Sequence, residues 1–480
     1  RVEVKSNGKM GENAFLNNKK RSAVSSEYNE IYKTHFANYQ AFQSTRYTVV
    51  PEEGRMLIIS HPEFAASMKP FVDWKRSIGI PTEIVTTAEA GTTAAAIKTY
   101  VTDYYNAHED FTFLLLIGDA PQIPSVSASA GKSDNAYGYM TGNDSYSEFF
   151  VGRFSAETIA NVETQVQRMI EYERDMNATD TWLNVGMGIG KNEGANGGHN
   201  GGEADYVHMN FIRDSLLNFT YETVLQEYEG VSGLPNTNAA SISAGINAGV
   251  SIINYCNHGS VTSWGVAGYS NTHVNALTNV GMLPFIWSVA CVNGDFTTNF
   301  CFAEAWMRAT HDNQPTGAIG TMMATINQDW QSPMTGQDEM VTILVEKRDH
   351  IKRTFAGLSI NGSMKMIDLH GSSGVNMHDT WVLFGDPSLM VRTDVPEAMN
   401  LSYNPVLFIG ASDMEVTGDV DGARITLSYV NDEEEVVIVG SAVMQDGVAL
   451  IEFDEAVGQP MTLKLTAVAF NKITSISEVE

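Results

Sequence analysis

FTFLLLIGD, residues 111–119, decides the fold. Apart from Thr112 the run is apolar up to Gly118-Asp119. A short, continuously apolar run closed by such a pair reads as a strand buried on both faces. Strands of that kind belong to parallel sheets covered by helices. The stretches before it agree. RMLIIS (55–60) is a second apolar strand, and FVDWKRSIG (71–79) has helical spacing and stops at Gly79. PTEIVTT (81–87) reads as a strand and AAAIKTYVTDYYNAH (94–108) as a helix. The alternation predicts a parallel sheet with crossover helices, and a long helix over 158–176 closes this first unit.

A second alternating unit starts near Trp182. Its strand candidates are VGMGIG (185–190), VSIINYC (250–256), PFIWSVA (284–290) and GAIGTMMAT (317–325). Helices are expected near 203–218, 239–248, 302–311 and 336–347. Both units read as doubly wound α/β, and ligands of such sheets sit beyond the carboxyl ends of strands. After Val395-Pro396 the pattern changes to short strands joined by Gly, Asp and Asn turns, from LSYNPVLFIG (401–410) to MTLKLTAVAF (461–470). About seven such strands without a helix read as a small all-β sandwich of immunoglobulin type, here without a cysteine pair. Residues 1–46 differ from both: they are polar, rich in Asn, Ser and Lys, with one amphipathic stretch from Tyr28 to Phe42. The expected division is 1–46, 47–180, 181–395 and 396–480.

The bulk properties fit this plan. A chain of 480 residues holds two to four units, and 43% hydrophobic with 18% charged residues is globular composition. With 57 carboxylates against 29 Lys plus Arg, the net charge of −28 repels nucleic acid. It suits calcium, basic substrates or plain solubility. Three cysteines, Cys256, Cys291 and Cys301, form no disulfide framework and leave at least one free thiol. No apolar run is long enough to predict a transmembrane helix. The opening RVEVKSNGKM lacks the apolar core of a signal peptide, so the chain is either cytosolic or trimmed at its start.

Two strand ends carry chemistry. SIINYCNHGS (251–260) puts His258-Gly259 just past one apolar strand, and PFIWSVACVNGD (284–295) puts Cys291 at the end of another. Neighbouring parallel strands would set both side chains on one rim. A thiol becomes a good nucleophile when an imidazole lowers its pKa and later supplies a proton. Gly259 and the Cys291 N–H are candidate oxyanion donors. A lone cysteine after an apolar run is ordinarily a core thiol. The pair with His-Gly is the arrangement of the caspase and legumain group.

Longer stretches extend the likeness: FVDWK (71–75), GKSDNAYG (131–138), GNDSYSEFFVGRFS (142–155), LPFIWSVACVNGDF (283–296), TINQDWQSPMTGQDEM (325–340), IKRTFAG (351–357) and DTWVLFGDPSLMVRT (379–393). On these the chain resembles the gingipains of the arginine-specific type, from Tyr47 to the end. The resemblance implies two caspase-like subdomains followed by an immunoglobulin-like domain, and a bacterial cysteine endopeptidase exported to the surface or medium. It puts the catalytic pair on Cys291 and His258, with Glu193 orienting the histidine. One departure stands beside the site: Cys256-Asn257 precede His258 where Thr-Gly is expected. A lysine-specific peptidase and a non-catalytic adhesion homologue are the alternative readings.

For cutting after arginine the resemblance selects Asp205 as the pocket acid, with Gln328, Trp330 and Met334 as the wall. A buried carboxylate takes a guanidinium in two hydrogen bonds, and an indole stacks on it. Taken alone, Asp205 reads as a charge at a helix start. GDAPQIP (118–124) and TGNDSYSE (141–148) look like calcium loops. The resemblance implies a structural calcium on Asp119, Asp144 and Glu148 with the carbonyls of Thr141 and Tyr146, and a second ion near Glu203 and His208. Read without it, the same loops are ordinary Asn-Asp turns. Residues 1–46 are expected to end an inhibitory prosegment cut between Arg46 and Tyr47, with Arg46 or Arg21 filling the pocket beforehand. The partners expected are proteins and peptides with arginine before the cut, and the chain's own prosegment.

Overall fold

The computed structural model describes residues 47–194, 202–297 and 300–480. Ten strands form one sheet: β1 Arg55–Ser60, β2 Thr82–Thr86, β3 Phe111–Ile117, β4 Phe150–Phe154, β5 Val185–Lys191, β6 Thr223–Glu229, β7 Ile252–Cys256, β8 Phe285–Val289, β9 Gly320–Ala324 and β10 Trp381–Phe384. Their order is β2-β1-β3-β4-β10-β9-β8-β7-β5-β6. All seven residues of β3 and all five of β7 and of β8 are buried, as continuous apolar runs require.

The sheet departs from the sequence expectation in one respect. β9 and β10 pair antiparallel, whereas every other neighbouring pair is parallel. Strands β1–β4 and β10 therefore run one way and β5–β9 the other. The two α/β units share a continuous sheet, and the carboxyl ends of β7, β8 and β9 lie on the rim where β10, β4 and β3 begin. Alternation of strands and helices predicts each half but not the reversal between them.

The flanking helices include α1 Lys69–Ser77, α2 Ala94–Ala107, α3 Ile159–Arg174, α4 Asp205–Leu217, α5 Gln331–Leu344 and α6 Phe355–His370. Helix α3 starts at a capping box, with the Thr158 hydroxyl accepting the Asn161 N–H and the Asn161 side chain accepting the Thr158 N–H. Beyond them lie seven strands in two sheets: β11 Leu401–Tyr403, β12 Asp413–Gly418, β13 Arg424–Val430, β14 Val436–Val443, β15 Val448–Glu452, β16 Leu463–Val468 and β17 Ser475–Val479. They are ordered β11-β12-β15 and β14-β13-β16-β17, around a core that includes Val416, Ile425, Leu427, Ile451 and Leu465. This sandwich docks on α1. Gly79, at φ +84°, sits where a Cβ would come within 2.5 Å of Thr426 and Ser441, so only glycine allows the approach.

Candidate active site

The His258 corner is fixed from below. The Tyr255 hydroxyl donates to the His258 carbonyl at 2.6 Å and accepts the Gly265 N–H at 3.0 Å, with its ring stacked on Trp264. The Gly265 N–H also donates to the His258 carbonyl, at 2.7 Å. β7 and β8 are adjacent and parallel, in register from Ile252 with Phe285 to Cys256 with Val289. His258 and Cys291 each follow two residues after these ends, so one rim carries both.

The Cys291 corner is held as firmly. The Ala290 N–H donates to Gln328 Oε1 at 3.0 Å, the Val292 N–H to the Ile326 carbonyl at 2.9 Å and the Gly294 N–H to the Ala324 carbonyl at 2.8 Å. Val292 takes φ 48°, an unfavourable conformation for a β-branched residue. Buried Asn293 stitches the two corners together, donating to the carbonyls of Ser260 (2.6 Å) and Ser263 (3.0 Å). Gly259 lies against this corner: a Cβ there would stand 2.9 Å from Ala290 and Asn293. Cys291, His258, Asn257, Gln328, Asp329 and Trp330 line one cleft of about 130 Å³.

Three thiols, three environments. Cys256 and Cys301 are fully buried, and burial pushes both well above the ordinary thiol pKa. Cys291 is half-buried and lines the cleft, so it is the thiol that can meet a substrate. His258 Nε2 lies 3.2 Å from Glu193 Oε1, and its ring meets Trp330 edge-on at 5.4 Å. Burial would raise the Glu193 carboxyl, but hydrogen bonds from His258 and Asn257, with the charges of His258 and Lys191, outweigh it and hold it low. The Glu193 carboxylate thus lies directly beside the imidazole ring.

Asp205 opens α4 and is fully buried, its N–H bonded to the Glu193 carbonyl at 2.8 Å. Asn257 Nδ2 donates to its Oδ2 at 2.7 Å. Burial first, then the negative Glu193, pushes the Asp205 carboxyl up to about 7, against the lowering effect of Asn257, His208 and His258. Gln328 and Trp330 stand at the cleft as expected. Met334 does not: it is fully buried in α5 within the main core, below the wall. Neither Asn257 nor Asn293 stands out in the sequence as a site residue. The only signal for Asn257 was its departure from the expected glycine.

The expected calcium ligands do not stand together as one set. Asp119 follows the carboxyl end of β3, whereas the 141–148 loop precedes the amino end of β4. Phe113–Ile117 pair with Phe150–Phe154, so the matched strands alone set them about 13 Å apart. Asp119 instead faces Arg308 at 3.4 Å. Glu148 closes its own loop on the Met140 N–H and the Thr141 hydroxyl, and Asp144 accepts the Tyr146 N–H. Among the described residues no group of three or more His, Cys, Asp or Glu is placed to hold a metal ion. Nor do Glu203 and His208 make an oxygen cage. The imidazole lies 3.6 Å from Glu203 and 3.5 Å from Asp338, an ion-pair cluster for a histidine whose pKa these partners raise against the opposing effect of burial. Arg46 and Arg21 lie outside the described residues, and Tyr47 is buried in the main core.

A cysteine and a histidine at neighbouring carboxyl ends of a parallel sheet, with a carboxylate behind the histidine, define a cysteine-peptidase type of site. The chain belongs to peptidase family C25: that family's profile matches residues 50–392, and the profile of its C-terminal ig-like domain matches 407–480. It is 41% identical to gingipain R2 of Porphyromonas gingivalis over 94% of this chain, which spans 61% of that relative's length. Its structure is similar to the crystal structure of the Arg-specific cysteine proteinase gingipain R, with TM-score 0.86 and 41% identity over 90% of this chain and 100% of that one. It is likewise similar, with TM-score 0.84 and 41% identity, to the complex of Porphyromonas gingivalis RgpB pro- and mature domains, covering 89% of this chain and 100% of that one. Among the described residues no helix is long and apolar enough to cross a membrane.

Proposed function

We propose that the chain is a cysteine endopeptidase that cuts after arginine. The observation that carries this is the rim shared by Cys291 and His258, with Asp205 buried behind Asn257 beside them. The Cys291 thiolate attacks the carbonyl carbon of the arginine residue, forming a C–S bond. The developing oxyanion is met by the N–H groups of Cys291 and Gly259. His258 gives its proton to the leaving amine as the C–N bond breaks, leaving a thioester. His258 then takes a proton from water, whose oxygen attacks the thioester. Collapse releases the acid and returns the thiol. Asp205 receives the guanidinium and Trp330 covers its stem. Fluorogenic peptides ending in Arg, Lys and Asn test this: turnover of the Arg peptide alone is expected, and preference for Lys or Asn would contradict it.

The raised Asp205 carboxyl gives a pH signature. Below about 7 the free enzyme carries it protonated and neutral, without the countercharge for arginine. kcat/KM for an Arg peptide should therefore fall with acidity by roughly tenfold per pH unit, while kcat holds to lower pH because bound guanidinium pulls the carboxyl down. Asp205→Asn should lose this limb. Superimposable profiles for the two proteins would remove Asp205 from the pocket.

The enzyme is proposed to be bacterial, secreted or held at the cell surface, and made as a zymogen. The similarity to a complex of pro- and mature domains supports this. A tethered arginine, Arg46 or Arg21, would fill the pocket at an effective concentration near millimolar. In the 1–480 chain, Arg46→Ala should block the new terminus at Tyr47 and lower turnover below that of the processed enzyme. A full-length Arg46→Ala chain as active as the processed form would rule out the inhibitory role.

A further inference from the structure

Asn257 stands between the cleft and Asp205. It lines the cleft with His258 and Cys291, while Asp205 lies behind it. Its side-chain Nδ2 donates to Asp205 Oδ2 at 2.7 Å and reaches Glu193 Oε2 at 3.5 Å. Its backbone N–H donates to the Val289 carbonyl at 3.3 Å, in the strand that leads to Cys291. The residue is thus anchored on the nucleophile's strand and touches both acids of the site. Among the described residues, the hydrogen-bond donor that reaches Asp205 Oδ1 is the Cys256 thiol at 3.9 Å, a weak one. Among the described residues Asn257 supplies the one side-chain N–H bond to this carboxylate.

We propose that Asn257 is a positioning residue that sets the plane of the Asp205 carboxylate for a guanidinium. The inference rests on the reading of Asp205 as the arginine acceptor. One amide N–H takes a single lone pair of Oδ2 and leaves acceptor capacity on both oxygens. Fixed in this way, the carboxylate presents two oxygens in one plane, which a guanidinium fork needs. An ammonium is a compact point charge and needs no such plane. Freeing the carboxylate therefore penalises arginine more than lysine. The chemistry at Cys291 is touched only through the longer contact to Glu193.

Two variants test this with Arg and Lys peptides. Asn257→Leu keeps the branched shape and removes the donor; Asn257→Ala removes both without adding bulk. In each, KM for the Arg peptide should rise about tenfold, the scale of one charge-assisted hydrogen bond, with kcat within about threefold. The Arg-to-Lys ratio of kcat/KM should fall about as much. Unchanged thermal melting and unchanged alkylation of Cys291 by iodoacetamide show an intact site, and Asn257→Ala decides the matter where Asn257→Leu fails to fold. An unchanged KM, or a loss that falls equally on Arg and Lys peptides, overturns the proposal and leaves the arginine reading standing. A wild-type enzyme that turns over no Arg peptide overturns both.

Discussion

Replacing Cys291 with alanine should lower peptide hydrolysis by at least about 10⁴-fold, the scale of removing a covalent nucleophile, with the fold unchanged. The side chain is half-buried at the cleft, and alanine lacks only its sulfur. The corner that presents it is held by backbone bonds and by Gln328, none of which needs the thiol group. Neither remaining cysteine can substitute. Cys256 and Cys301 are fully buried with their pKa pushed well up, so neither is held as a thiolate nucleophile. His258→Ala should act nearly as strongly, because the thiolate and the leaving-group proton both depend on the imidazole. Initial rates with an Arg peptide, alongside thermal melting, measure both. If Cys301→Ala abolishes activity and Cys291→Ala does not, the nucleophile is misassigned.

Asp205→Asn should lower kcat/KM for Arg peptides about 30-fold or more. Losing one partner of a desolvated charge pair costs roughly 2–5 kcal/mol, and each 1.36 kcal/mol is about tenfold. The substitution keeps volume and leaves an oxygen that can still accept from Asn257, so the pocket stays folded. What it removes is the countercharge in a fully buried site. A drop under about threefold would exclude Asp205 as the arginine acceptor.

Much of this was legible in the sequence, for physical reasons. The runs FTFLLLI, IINYC and FIWSV read as strands because both faces are buried and nothing polar interrupts the signal for long. His258 and Cys291 read as a pair because function collects at the carboxyl ends of such strands. Other elements hid. Helix α6 is buried all round from Phe355 to Met364, so it shows no amphipathic period. β4, FVGRF, carries Arg153 as its fourth residue, which looks wrong for a core strand; its guanidinium is satisfied by Asp134 at 2.6 Å and by the carbonyls of Gly118 and Ile123. β6 lies at the edge of the sheet, where Glu and Gln dilute the pattern. Glu193 and Asp205 came only through resemblance, since solvated and buried acids look alike in sequence. Asn257 was invisible because its partner stands 52 positions away. The oxygen-rich composition of the 118–124 and 141–148 loops was plain, but composition does not show that Asp119 turns to Arg308.

Cys291 is proposed to attack beside a pocket for arginine. An irreversible peptidyl-arginine chloromethylketone tests it most directly, with the modified residue located by peptide mass mapping. The expected result is one adduct, on Cys291, formed more slowly with excess Arg peptide and absent in His258→Ala. No adduct on the wild-type protein, or an adduct on Cys256 or Cys301, would contradict the account.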